Sequence, residues 1–296
     1  MKKMKLFCGI LIGLTIFSSC STDNNDKENE PNNTNHLVKR EYASNNVNLE
    51  YRYNENGNLT RILDIDIQEE IDSEINFTYN SNNIVKRNLV SRNSNYSSIT
   101  NYSFNGSNRL LKAVLTINQP NNPINPIKII TQEFSYNNNI ITVNIGSSTG
   151  DTRVVTLEVN NSELINKMIE SLYYVVISYD TNGNISEIKV FDINDNLLNT
   201  TGYSYDNKPN PFHGQLKSIY LPLFLNAFID AYFGEFVWDG YEGYYFPFLK
   251  NNITSLRKNG NLDSNFNYLY DNAHYPINVN EEPNVHNASE FDIEYE

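Results

Sequence analysis

The stretch Ile177-Ser-Tyr179-Asp180-Thr-Asn182-Gly183-Asn184-Ile185 decides the fold. Ile177 and Tyr179 alternate with polar residues, as on a strand with one buried face. Asn182-Gly183 is the pair whose positive-φ preference matches the twist of a β-hairpin, and Ile185 opens the returning strand. The same phrase, an aromatic pair two apart, then Asn or Asp, a polar turn and an aliphatic residue, recurs along the chain. Copies stand at Tyr51-Tyr53-Asn54, Phe77-Tyr79-Asn80, Tyr102-Phe104-Asn105, Phe134-Tyr136-Asn137, Tyr203-Tyr205-Asp206 and Tyr268-Tyr270-Asp271. With the first stretch they make seven units, unevenly spaced.

Composition supports the same reading. The 296 residues carry 52 Asn, 21 Tyr and 15 Phe. Asn closes tight turns and aromatics pack on sheet surfaces, so a helical architecture is disfavoured. We read the chain as all-β and mainly antiparallel, a long curled meander of hairpins with 14 to 18 strands, since so many cannot form one flat sheet. Phe291, Ile293 and Tyr295 alternate as a closing strand. Leu164 to Leu172 has helical spacing but falls where a returning strand is due, and we read it as strand.

The insertion near 209–250 breaks the rhythm. Pro222 suits a first helical turn, Leu223, Phe224, Ala227, Phe228 and Ala231 keep i, i+3, i+4 spacing, and Gly234 suits the stop. One amphipathic helix packed on the sheet is predicted. The aromatic run beyond it packs on the core or, as the second reading, forms a stacking platform of Trp238, Tyr241, Tyr244 and Tyr245 for a sugar or a protein.

The N-terminus predicts an address. Lys2, Lys3 and Lys5, an apolar run Leu6 to Phe17 too short for a comfortable membrane span, and Ser18-Ser19-Cys20 form a signal peptide over 1–19. Residues 20–36 are polar and acidic and read as a disordered tether, leaving 37–296 as a single repeat-built β domain. The formal charge of −13 disfavours nucleic acid and anionic lipid surfaces as partners. The two cysteines, Cys8 and Cys20, leave no pair to bridge after processing.

Resemblances to known families add to this. The Phe-Ser-Ser-Cys20 ending resembles the lipobox of bacterial lipoproteins, which implies lipidation of Cys20 and a membrane partner through acyl chains. Asp23, Asp26, Glu28 and Glu30 behind it resemble the signal sending Bacteroidetes lipoproteins to the outer face of the outer membrane. The repeated phrase resembles the YD repeat of RHS-type shells. Over nearly the whole mature chain, with the stretch Tyr203 to Phe212, Leu221-Pro222-Leu223, Lys250 to Thr254 and the Tyr270 to Pro276 turn, it looks more like Bacteroidetes lipoproteins of unknown function built from degenerate copies of that unit. Seven uneven units are too few to enclose a toxin, so the shell role does not carry over.

No reaction motif stands out. Asp180-Asn182-Asn184 and Asp192-Asn194-Asn196 imitate the front of a calcium loop but lack its Gly and its twelfth-position Glu, so turn chemistry explains them. His36, His213, His274 and His286 are scattered, without zinc spacing. The expectation is therefore no catalysis, no metal and no cofactor. The leading function is a surface-tethered lipoprotein binding an extracellular protein or glycan. A structural or envelope-assembly component using sheet edges, and a cryptic hydrolase, are the alternatives.

Overall fold

A computed structural model of the chain describes residues 36–43, 48–66, 68–92, 95–121, 124, 126–228, 247–283 and 289–296. Cys20, the leader, nearly all of the tether, and Trp238, Tyr241, Tyr244 and Tyr245 lie outside these residues. Eighteen strands run in chain order: β1 (Val38–Ala43), β2 (Asn48–Tyr53), β3 (Leu59–Ile65), β4 (Ile71–Asn80), β5 (Asn83–Ser91), β6 (Tyr96–Phe104), β7 (Leu110–Asn118), β8 (Ile127–Asn137) and β9 (Ile140–Ser147). They continue as β10 (Thr152–Val159), β11 (Ile165–Ile169), β12 (Tyr173–Tyr179), β13 (Ile185–Asp192), β14 (Leu197–Pro209), β15 (Asn251–Lys258), β16 (Asn261–Tyr270), β17 (Pro276–Pro283) and β18 (Ser289–Tyr295).

Each strand pairs antiparallel with its neighbours in sequence, and β18 returns to β1 with Tyr295 opposite Val38 and Ile293 opposite Glu41. The meander is thus a closed barrel of nine hairpins. Closure removes every sheet edge among the described strands, so assembly by strand addition has no edge to use. The segment read with helical spacing is strand β11, as expected.

Register sorts the two walls. Inward pairs such as Tyr51–Ile62, Leu115–Ile130 and Val143–Val155 are buried and belong to one contiguous apolar core. Full burial of these side chains excludes a wide water channel at their level, unlike the wide round barrels that carry one. Outward positions carry charges in mid-strand: Lys112 bonds Glu133 at 2.7 Å, Lys189 lies 2.6 Å from Glu187, and Arg40 and Arg52 share Glu50. Exposed aliphatics such as Val154, Leu197 and Leu269 are scattered among them. A barrel that crosses a bilayer carries an apolar outer band about 25 Å tall; here the paired charges above stand on the outer wall between the exposed aliphatics.

The repeated phrase builds one end of the barrel. At the corner after β12, the Asp180 carboxylate accepts the N–H groups of Asn182 and Asn184, both at 2.9 Å, and Gly183 takes φ +86°. Asn54, Asn105, Asn160 and Asp271 close their corners the same way. The Asp192 corner at the opposite end copies the pattern, so both calcium-like stretches are turns whose oxygens hold backbone. Tyrosines then hook six of the hairpins to the one before. The hydroxyls of Tyr79, Tyr136, Tyr179, Tyr205, Tyr268 and Tyr295 donate to the carbonyls of Leu59, Leu110, Ile165, Ile185, Ile253 and Pro276 at 2.6–2.8 Å.

Two units escape the sequence reading. Leu157-Glu-Val159-Asn160 is a corner of the same build with aliphatics in place of the rings. The other is split between the chain's ends, where Tyr295 hooks Pro276 and the Glu296 N–H donates to Leu37 O at 2.9 Å. His36, read as tether, sits on this joint: its ring stacks on Tyr275 at 4.5 Å and lies 3.3 Å from the Asp271 carboxylate.

Candidate functional site

The insertion enters at the hook end, between β14 and β15, and its root is a polar knot. Asn184, fully buried, accepts the Lys250 N–H at 2.8 Å and donates to the Asn251 and Asp180 side chains. Asp206 accepts the N–H of Lys208 and both nitrogens of Asn252, and the Tyr270 hydroxyl donates to it. Asn210 donates to Leu249 O and accepts the Phe212 N–H. The stretches Tyr203 to Phe212 and Lys250 to Thr254 supply most of the side chains of this knot.

From the root the chain crosses the barrel mouth. Phe212 packs on the Tyr51 ring at 5.0 Å, Gln215 bonds Leu59 N–H and Gly57 O, and Ser218 accepts the Ile84 N–H at 2.9 Å. A 3-10 turn, Lys217–Ile219, leads into α1 (Tyr220–Phe228), which puts Pro222 in its first turn as predicted and buries Leu223, Phe224 and Leu225. The expected stop at Gly234 lies outside the described residues.

The cap is thus fastened to the corners after β2 and β4, and on the other side it leaves a cavity of about 480 Å³. That volume falls within the usual range of small-molecule sites, about 300–1,000 Å³. Tyr220, Leu221, Phe224, Phe248 and Leu249 form its cap side. Tyr136, Ile141, Val159, Ile165, Tyr179 and Ile185 form the barrel side, and Arg109, Asn138, Asn139, Asn160 and Glu163 its polar margin. Burial pushes the Tyr136 hydroxyl above the usual tyrosine range, with the Arg109 charge opposing, and burial pushes Tyr179 well above it. Both stay neutral and donate to backbone carbonyls. The Arg109 guanidinium lies over the Tyr136 ring, 5.3 Å from its centre.

Sequence reasoning placed binding on the aromatic run beyond Gly234 and missed this cavity. Its lining comes from four corners and the cap, and only the ring closure brings them together. The repeated Tyr-Asn phrase was the available signal that the corners share one end. Among the described residues, no cluster of three His, Cys, Asp or Glu side chains could hold a metal ion.

No protein-family model matches the chain, and no curated protein does. Solved structures do. A porin-like protein from Bacteroides vulgatus shares 12% identity over 88% of this chain and 99% of its own, with a TM-score of 0.41. A second porin-like protein, from Bacteroides uniformis, shares 12% identity over 71% of this chain and 92% of its own, at 0.36. At such scores the strand pairing described above is what defines the class: an all-β, antiparallel, closed 18-stranded barrel with one short helix.

Proposed function

We propose that the chain is a lipid-tethered, non-catalytic barrel that stands in water at the outer membrane, exposed at the cell surface, and binds an extracellular ligand between cap and corners. The charged outer wall supports a barrel held beside a bilayer, and the leader ending at Cys20 supplies the acyl anchor such a barrel requires. The cavity carries the binding part of the reading: it is apolar, of ligand size, and walled by rings the fold already holds in place. The platform of Trp238, Tyr241, Tyr244 and Tyr245 lies outside the described residues, and the cavity is the site that the described residues support.

Two measurements test this. Replacing Cys20 by Ala should move the protein from the membrane fraction to the soluble one, and retention on the membrane would remove the anchor. The neutral dye Nile red should bind one per chain, and Leu221→Trp should abolish binding while circular dichroism and the melting midpoint stay near wild type. Unchanged dye binding in a folded Leu221→Trp protein would overturn the cavity as the receiving site.

A further inference from the structure

We propose that the cavity takes an amphipathic anion, a long-chain carboxylate, with the acyl chain inside and the headgroup at Arg109; this rests on the cavity being the receiving site. Three observations select that chemistry. First, the hydroxyls of Tyr136, Tyr179 and Tyr220 are all spent as donors on the carbonyls of Leu110, Ile165 and Pro247. A sugar buried among them would leave its own hydroxyls short of partners, whereas an acyl chain asks for none. Second, the remaining walls are aliphatic or ring carbon, with Ile141, Val159 and Ile185 of the barrel opposite Leu221, Phe224 and Phe248 of the cap.

Third, the margin carries one cation placed for a headgroup. Arg109 is exposed, sits over the ring that forms the barrel side, and has no carboxylate partner among the described residues. Its planar fork matches a carboxylate through two parallel bonds. The protein's net charge of −13 opposes an anion only at range, because salt screens exposed charges beyond about 8 Å, so the local guanidinium governs the bound state. Glu163 is the other charged group of the margin and opposes the same headgroup. It supplies a second, opposite-signed test.

The experiment titrates the whole chain without its acyl anchor, Cys20→Ala, with dodecanoate, dodecanol and dodecyltrimethylammonium by calorimetry. Dodecanoate should bind one per chain and at least tenfold tighter than the other two. Arg109→Gln should weaken dodecanoate about tenfold and leave dodecanol unchanged, and Glu163→Gln should tighten dodecanoate a few-fold. Equal binding of all three probes, tightest binding of the cation, or indifference to Arg109→Gln would overturn the proposal even with Nile red still bound, whereas loss of Nile red itself would strike the cavity reading beneath it.

Discussion

The two ends of the barrel follow different rules. At the capped end most corners have one build and most units hook their predecessor through a tyrosine hydroxyl. At the opposite end the corners are of mixed build, Asp66 and Asp192 repeating the closure where others do not. Polar side chains also enter the interior: Ser98 is buried near the start of β6, Thr100 and Gln132 at mid-strand, and Arg153 pairs with Glu170 beside Tyr173. Repetition in the sequence therefore follows load. Where each unit must grip the previous one, the same residues recur; where it does not, the residues drift.

Replacing Phe212, buried against Tyr51, by Ala should produce the largest loss, about 3–5 kcal/mol by urea unfolding, because cap and corner part together. Ser98→Ala at the far end should stay within about 1 kcal/mol, and similar losses at both sites would break the contrast.

Alkali should act on the capped end. Burial pushes Tyr102 and Tyr203 up to about 12, so between pH 10 and 12 the unfolded chain gives up protons that the folded one keeps. Stability is full below pH 10 and falls above it, by about 1.4 kcal/mol per pH unit for buried Tyr102 alone. Tyrosinate absorbance should therefore rise in two steps, exposed rings near pH 10 and interior rings only as the barrel unfolds. A single step near pH 10 would contradict the burial.

Tyr205→Phe removes the hydroxyl that holds Ile185 O at 2.7 Å and should cost about 1 kcal/mol, whereas the same change at exposed Tyr42 should cost less. Asp64 faces inward toward the far end, and burial, with Asp72 and Asp66 adding to it, raises its carboxyl above the usual range. Because the folded state disfavours its charge, Asp64→Asn should add about 0.5 kcal/mol at pH 7, a gain that fades below pH 4. A loss at pH 7 would mean the charge is held by a partner.

Much of this was legible in the chain. The Asn-rich phrases gave corners, the alternation gave strands, and Pro222 gave the helix start, since each is a local rule. The unit at Leu157 was hidden because aliphatics fill the inner wall as well as rings do. The cavity was illegible because Arg109, Glu163 and Phe248 are far apart in sequence and become neighbours only through closure. Tyr295, read as part of a final strand, gave no hint that its partner is Val38.

That last pairing has a consequence for how the molecule comes into being. The ring is fastened by pairing its first strand with its last, so the chain carries two raw strand borders until β18 has been made and has found β1. Loss of β18 would leave those borders open on an otherwise finished wall, and would turn a sealed protein into one that seeks strands from its neighbours.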